Sequence, residues 1–65
     1  MIKVTLLNGT EYYINPHQIE YMEIRPDTTL FMLSGKHIVV RERVDVVIDS
    51  IVEYRRRIGG FKNEE

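Results

Sequence analysis

Pro26-Asp27-Thr28-Thr29-Leu30-Phe31-Met32-Leu33-Ser34-Gly35 decides how this chain folds. The apolar run Leu30 to Leu33 stands between two turn signals, Pro26-Asp27 and Ser34-Gly35, and reads as a strand that is apolar on both faces. A chain of 65 residues has a single core. One face of the strand looks into that core, and the other needs a different cover.

The segments on either side take their reading from this strand. Before it, Ile19, Met22 and Ile24 do not share one parity, a spacing that suits a bulged strand or a short helix; the β-branched and aromatic neighbours favour the bulged strand, closed into a hairpin by Pro26-Asp27-Thr28. After it, Lys36 to Arg41 alternates, with His37 and Val39 facing one way and Ile38 and Val40 the other. At the amino end Ile2, Val4 and Leu6 alternate with Lys3 and Thr5. Asn8-Gly9 supplies the hairpin signal, and Glu11 to Ile14 returns until Asn15-Pro16 ends it. A tight turn through His17-Gln18 follows.

From Arg43 the period changes. Val44, Val47, Ile48, Ile51, Tyr54, Arg55 and Ile58 recur at steps of three and four, the pattern of an amphipathic helix that begins within Arg41 to Asp45. Arg55, Arg56 and Arg57 suit the negative end of the helix dipole, and Gly59 or Gly60 suits a left-handed cap. The expected fold is α+β: a small five-stranded antiparallel β-meander with one C-terminal amphipathic helix. Residues 1–58 form the single domain, and residues 59–65 form a flexible tail.

Composition narrows the functional classes. A domain of this size hides only about 60% of the surface its unfolded chain exposes, so its stability margin is thin. Without cysteine it has neither disulfides nor thiolate zinc sites to reinforce it. The formal charge of -1 and pI of 6.1 give no overall pull toward nucleic acid or anionic lipid. Met1-Ile2-Lys3-Val4-Thr5 runs straight into strand-like alternation, so no signal peptide is expected, and no stretch reaches the roughly 18 consecutive apolar residues of a membrane helix. The expected location is cytoplasmic, at most peripheral to a larger assembly.

Chemistry-bearing constellations are sparse. A metal site needs three or four convergent ligands, and the chain offers His17 and His37 with scattered carboxylates. Ser34 and Ser50 have no recognisable base or oxyanion element, and Gly9, Gly35, Gly59 and Gly60 sit at turns or caps instead of forming a phosphate-cradling loop. No catalytic residue, cofactor, metal or small-molecule substrate is expected. Tyr12, Tyr13, Tyr21 and Phe31 have acidic neighbours in Glu11, Glu20 and Glu23, which suits packing better than base stacking. Arg55-Arg56-Arg57 is short for a lipid-binding segment, and helix-end stabilisation explains it equally well.

What remains is surface. Leu7, Phe31 and Val39 have parities opposite to Leu6, Leu30 and Val40, while Val46 and Val52 widen the helix beyond a narrow stripe. Phe31, Leu33, Val39 and Val46 are therefore the candidate apolar contact residues. Burying one such side chain contributes about 1.5–3 kcal/mol, a large part of a small domain's net stability, and a homo-oligomer or stable complex is expected as the folded unit. Asp45, Asp49 and Glu53 recur every fourth residue as an acidic line, either a docking face for a basic partner or a solvated face partly offset by Arg57 at i,i+4 from Glu53.

The combination of Met1-Ile2-Lys3-Val4-Thr5, Leu7-Asn8-Gly9, Tyr13-Ile14-Asn15-Pro16, Ile19-Glu20, Pro26-Asp27-Thr28, Ser34-Gly35-Lys36, Val40-Arg41-Glu42 and Ile51-Val52-Glu53-Tyr54-Arg55-Arg56 resembles the small FlbD/SwrD family of bacterial flagellar proteins over residues 1 to 58. The resemblance implies a non-enzymatic protein that supports swarming motility and the torque of the flagellar motor or its stators, with a place at the basal body. It carries over no catalytic residue. Asn8, Gly9, Asn15, Pro16, Pro26, Asp27 and Gly35 are explained by turn geometry. A second resemblance covers Ile19 to Ile51, which is loosely similar to LytTR-type DNA-binding domains and implies a regulator of flagellar genes. The near-neutral charge and missing basic stripe speak against nucleic acid, because phosphate contacts supply most of the affinity for DNA.

Overall fold

The computed structural model describes residues 1–59. Five antiparallel strands are followed by one helix: β1 (Ile2–Thr5), β2 (Glu11–Ile14), β3 (Ile19–Ile24), β4 (Thr28–Met32), β5 (His37–Val40) and α1 (Val44–Gly59). A 3-10 turn, Pro16–Gln18, separates β2 from β3. The α+β class expected from the sequence is the one observed.

The strands form two sheets, β1-β2 and β3-β4-β5, instead of one meander. The cause lies at Asn15-Pro16. Asn15 caps the 3-10 turn by accepting the His17 N–H on Oδ1, and Pro16 is buried with no N–H to offer a neighbouring strand, so the chain turns out of the β2 plane before β3 begins. The sheets meet elsewhere, through a Leu6↔Val40 bridge and the Arg41 N–H donating to the Thr5 carbonyl at 2.7 Å. In space the strands therefore run β2-β1-β5-β4-β3.

Both β-hairpins that flank this junction close with the same turn. Gly9 N–H donates to Leu6 O and Leu6 N–H to Thr10 O; Gly35 N–H donates to Met32 O and Met32 N–H to Lys36 O. The fourth residue of each turn takes positive φ, +93° at Gly9 and +96° at Gly35, a conformation only glycine adopts at little cost. Asn8 does not share it. Its side chain accepts the Thr10 N–H instead, as Ser34 Oγ accepts that of Lys36. One consequence corrects the expected strand: Leu33 is the second residue of its turn, beyond the end of β4, and is 58% exposed.

Apart from Ile19 and Glu20 at the bulge in β3, even-numbered strand residues face inward. Ile2, Val4, Ile14, Leu30 and Val40 are buried with Val47 of α1, and Met22, Ile38, Ile51 and Tyr54 pack around them. Leu30, in the middle of the central strand of its sheet, is 0% exposed. The bulge expected between Ile19 and Arg25 is present: the β3–β4 register shifts between Ile19 and Tyr21, which brings Met22 opposite Leu30.

The helix stripe is narrower than its sequence period. Val47, Ile51 and Tyr54 face the sheet, whereas Ile48 and Ile58, expected on the same face, are exposed: Ile48 is turned about 100° round the helix from Val47, past the edge of the contact stripe, and Ile58 lies beyond Tyr54, the last helix residue packed on the core. The far end of α1 is held by Tyr54, whose ring meets His17 of the 3-10 turn edge-on at 5.9 Å. The helix runs through Gly59. Gly59, the first residue of the expected tail, is thus helical, and residues 60–65 with the Gly60 cap lie outside the described residues.

Candidate interaction surfaces

The β3-β4-β5 sheet has an outer face that no element of the described chain covers. Register places Tyr21, Phe31 and His37 in one row across its three strands. The Tyr21 and Phe31 rings stack with centroids 4.5 Å apart and planes within 7°, and His37 lies 5.9 Å from Phe31 on the other side. Such cross-strand aromatic pairs add roughly 0.5–1.5 kcal/mol beyond burial, so the row is a rigid platform. The Arg25 guanidinium lies 5.4 Å from the Phe31 centroid and also bonds Glu23. That hydrogen bond, with the Glu23 charge behind it, raises the Arg25 pKa and fixes the cation at the edge of the platform.

Val39 occupies the adjoining row, and with Arg25, Thr29, Phe31 and His37 it lines a shallow groove. Phe31 and Val39 are half-buried by these neighbours, while Leu33 projects from the turn beyond β4. The structure thus brings two of the candidate residues, Phe31 and Val39, onto one face.

The other candidates sit on the helix, which packs against the opposite, inner face. Val46 is 45% exposed and lines an open groove between α1 and β1 with Met1, Glu42, Asp49, Glu53 and Tyr54. Asp45, Asp49 and Glu53 are exposed as an acidic ridge, with Arg43 3.5 Å from Asp45 and Arg57 3.6 Å from Glu53. These exposed pairs contribute little to stability, so the ridge remains available to solvent or to a partner. Six of the seven candidate residues therefore fall on two separate surfaces, Phe31 and Val39 on the sheet and Val46, Asp45, Asp49 and Glu53 on the helix, while Leu33 stands apart on its turn.

Sequence reasoning missed a third apolar patch. Ile24, 70% exposed, lines a groove with Pro26, Val44 and Ile48 between the β3–β4 hairpin and the start of α1. The signal was Ile24's even parity beyond the helix footprint, which leaves an inward-facing side chain with nothing to pack on.

Among the described residues no group of three or more His, Cys, Asp or Glu side chains converges as a metal site, and no helix is long and apolar enough to cross a membrane. The molecule is a small α+β domain whose distinctive chemistry is spread over open faces: an aromatic platform, an acidic ridge and exposed aliphatic side chains. The family of flagellar and swarming motility proteins, FlbD, matches residues 1–59, and the chain belongs to it. Its role accordingly lies in flagellar and swarming motility. No curated protein and no solved structure matches the chain.

Proposed function

We propose that this protein is a non-enzymatic accessory of the flagellum that supports swarming and motor power through protein–protein contacts. The observation that carries the reading is the uncovered Tyr21-Phe31-His37 row, a preordered apolar platform on a domain too small to bury it. Its partners are copies of itself and components of the motor or stator, met at the cytoplasmic side of the basal body. Family membership supplies the setting.

Charge placement weighs against the DNA-binding alternative. Ten Asp and Glu stand against nine Lys and Arg, and Lys3, Arg25, Arg43 and Arg57 each lie beside a carboxylate that offsets their field. Phosphate neutralisation needs a local excess of protein cations that displace the counterions condensed on the nucleic acid. Deleting the gene should shrink swarms while filaments still assemble. Normal swarming in the deletion strain would reject the role, and a salt-dependent gel shift on flagellar promoter DNA would favour the regulator instead.

A further inference from the structure

The five strands leave two lateral edges, β2 and β3, and the chain treats them differently. Edge strand β3 carries a bulge at Glu20 and two carboxylates, Glu20 and Glu23, devices that prevent strand addition. Edge strand β2 has no bulge and only one carboxylate. Tyr12 and Tyr13 are 47% and 66% exposed, and the strand's one charge, Glu11, is engaged by Lys3 at 3.7 Å.

The hydrogen-bond alternation shows which backbone groups β2 leaves open. Leu6 N–H bonds Thr10 O, so in the antiparallel ladder Val4↔Tyr12 and Ile2↔Ile14 are the bonded pairs, while Thr5↔Glu11 and Lys3↔Tyr13 are the non-bonded ones. Thr5 agrees from the β1 side: its N–H reaches Glu42 and its carbonyl accepts from Arg41, both away from β2. Glu11 and Tyr13 therefore direct their N–H and C=O groups outward from the edge.

We propose that two copies of this chain pair antiparallel through β2, about a two-fold axis at Tyr12. Glu11 of each copy then faces Tyr13 of the other. Every outward donor and acceptor of the strand finds its counterpart, giving four hydrogen bonds, and Tyr12 meets its own symmetry mate at the close non-bonded position. The neighbouring register, with the axis at Tyr13, would set Glu11 against Asn15, whose carbonyl already accepts the Gln18 N–H at 2.9 Å.

Charge fits a second copy as the occupant. The face beside this edge carries Lys3 and Glu11, so it is neutral in sum, and two copies meet without net repulsion. On the inner side each Tyr12 lines a mainly apolar groove with Leu6, Leu7 and Ile38, and pairing lays the two grooves end to end. A four-residue strand buries less than a standard interface, so the dimer is weak, with Kd on the order of 100 µM. The pairing does not depend on the flagellar role, and it leaves the aromatic platform free for other partners.

Because the chain has no cysteine, a single introduced thiol reports the register. Tyr12→Cys sits where facing Cα atoms approach about 4.5 Å, within disulfide range, and should crosslink under mild oxidation about tenfold faster than Leu33→Cys on its equally exposed turn. In sedimentation up to about 1 mM the wild-type chain should shift from monomer to dimer, and Tyr13→Pro should remain monomeric with an unchanged circular dichroism spectrum, since the lost N–H points away from β1. Equal crosslinking of the two cysteine variants, a wild-type monomer at every concentration, or a folded Tyr13→Pro dimer would overturn the pairing. Should Tyr13→Pro fail to fold, the crosslinking comparison still decides.

Discussion

The Thr5 amide N–H donates to Glu42 Oε1 at 2.9 Å, joining two residues 37 positions apart. The bond sits where the β1–β5 ladder ends. Val40 bridges Leu6 and Arg41 N–H reaches the Thr5 carbonyl, but the chain then leaves for the helix, and the Glu42 carboxylate takes the place of the next backbone acceptor. One side chain thereby finishes the junction between the two sheets and fixes the entry into α1.

This geometry makes the junction sensitive to acid. Burial pushes the Glu42 carboxyl up, but the bond from Thr5 N–H, aided by nearby Lys3, outweighs it and leaves the group below the ordinary glutamate range. A depressed folded value means stability that is present above the unfolded value and lost as pH falls through the folded one. Urea midpoints should therefore decline on going from neutral pH to about pH 3, and Glu42→Gln should lack part of that decline while costing on the order of 1 kcal/mol at neutral pH. Identical pH slopes for the two proteins would remove Glu42 from this role.

The twin turns predict matched costs. A Cβ at Gly35 would meet nothing within 4 Å, and one at Gly9 only the Arg41 guanidinium at 3.8 Å, so substitution is opposed by backbone conformation and not by crowding. Gly9→Ala and Gly35→Ala should each lower unfolding stability by about 1–2 kcal/mol. Thermal melts giving a large difference between them would show that the two turns are not energetically equivalent.

The helix start is improvable. Arg43 precedes α1, its carbonyl accepts the Val47 N–H at 3.0 Å, and its side chain offers no acceptor to the open N–H groups of the first turn. Arg43→Ser should raise stability by about 0.5–1 kcal/mol, even with the exposed Arg43–Asp45 pair lost, because such pairs contribute little. A lower melting temperature for Arg43→Ser would mean that the arginine has a structural task of its own.

Much of the fold was legible in the sequence because it is written in parity. Ile2, Val4, Ile14, Leu30, Ile38 and Val40 share even numbers and one face, and the broken parity of Ile19 and Met22 announced the bulge. What escaped depends on tertiary placement. Leu33 looks like strand until the Gly35–Met32 hydrogen bond makes it turn, and Ile48 looks like core until the width of the sheet leaves it outside. The junction of β1 with β5 pairs residues more than thirty positions apart, a relation no local pattern records. Of the candidate surfaces, Phe31 and Val39 could be grouped from alternation alone, whereas their separation from Val46 and the acidic ridge became visible only once the helix was seen on the opposite face.

The stacked row on the outer sheet face offers the decisive test. Phe31→Ser removes the ring between Tyr21 and His37 without touching the buried set around Leu30. In a deletion strain complemented with this variant, the protein should accumulate and keep its circular dichroism spectrum, flagella should assemble, and swarm expansion should fall to the level of the deletion. Wild-type swarming by a strain carrying folded Phe31→Ser would show that the aromatic platform is not the surface through which this protein serves motility.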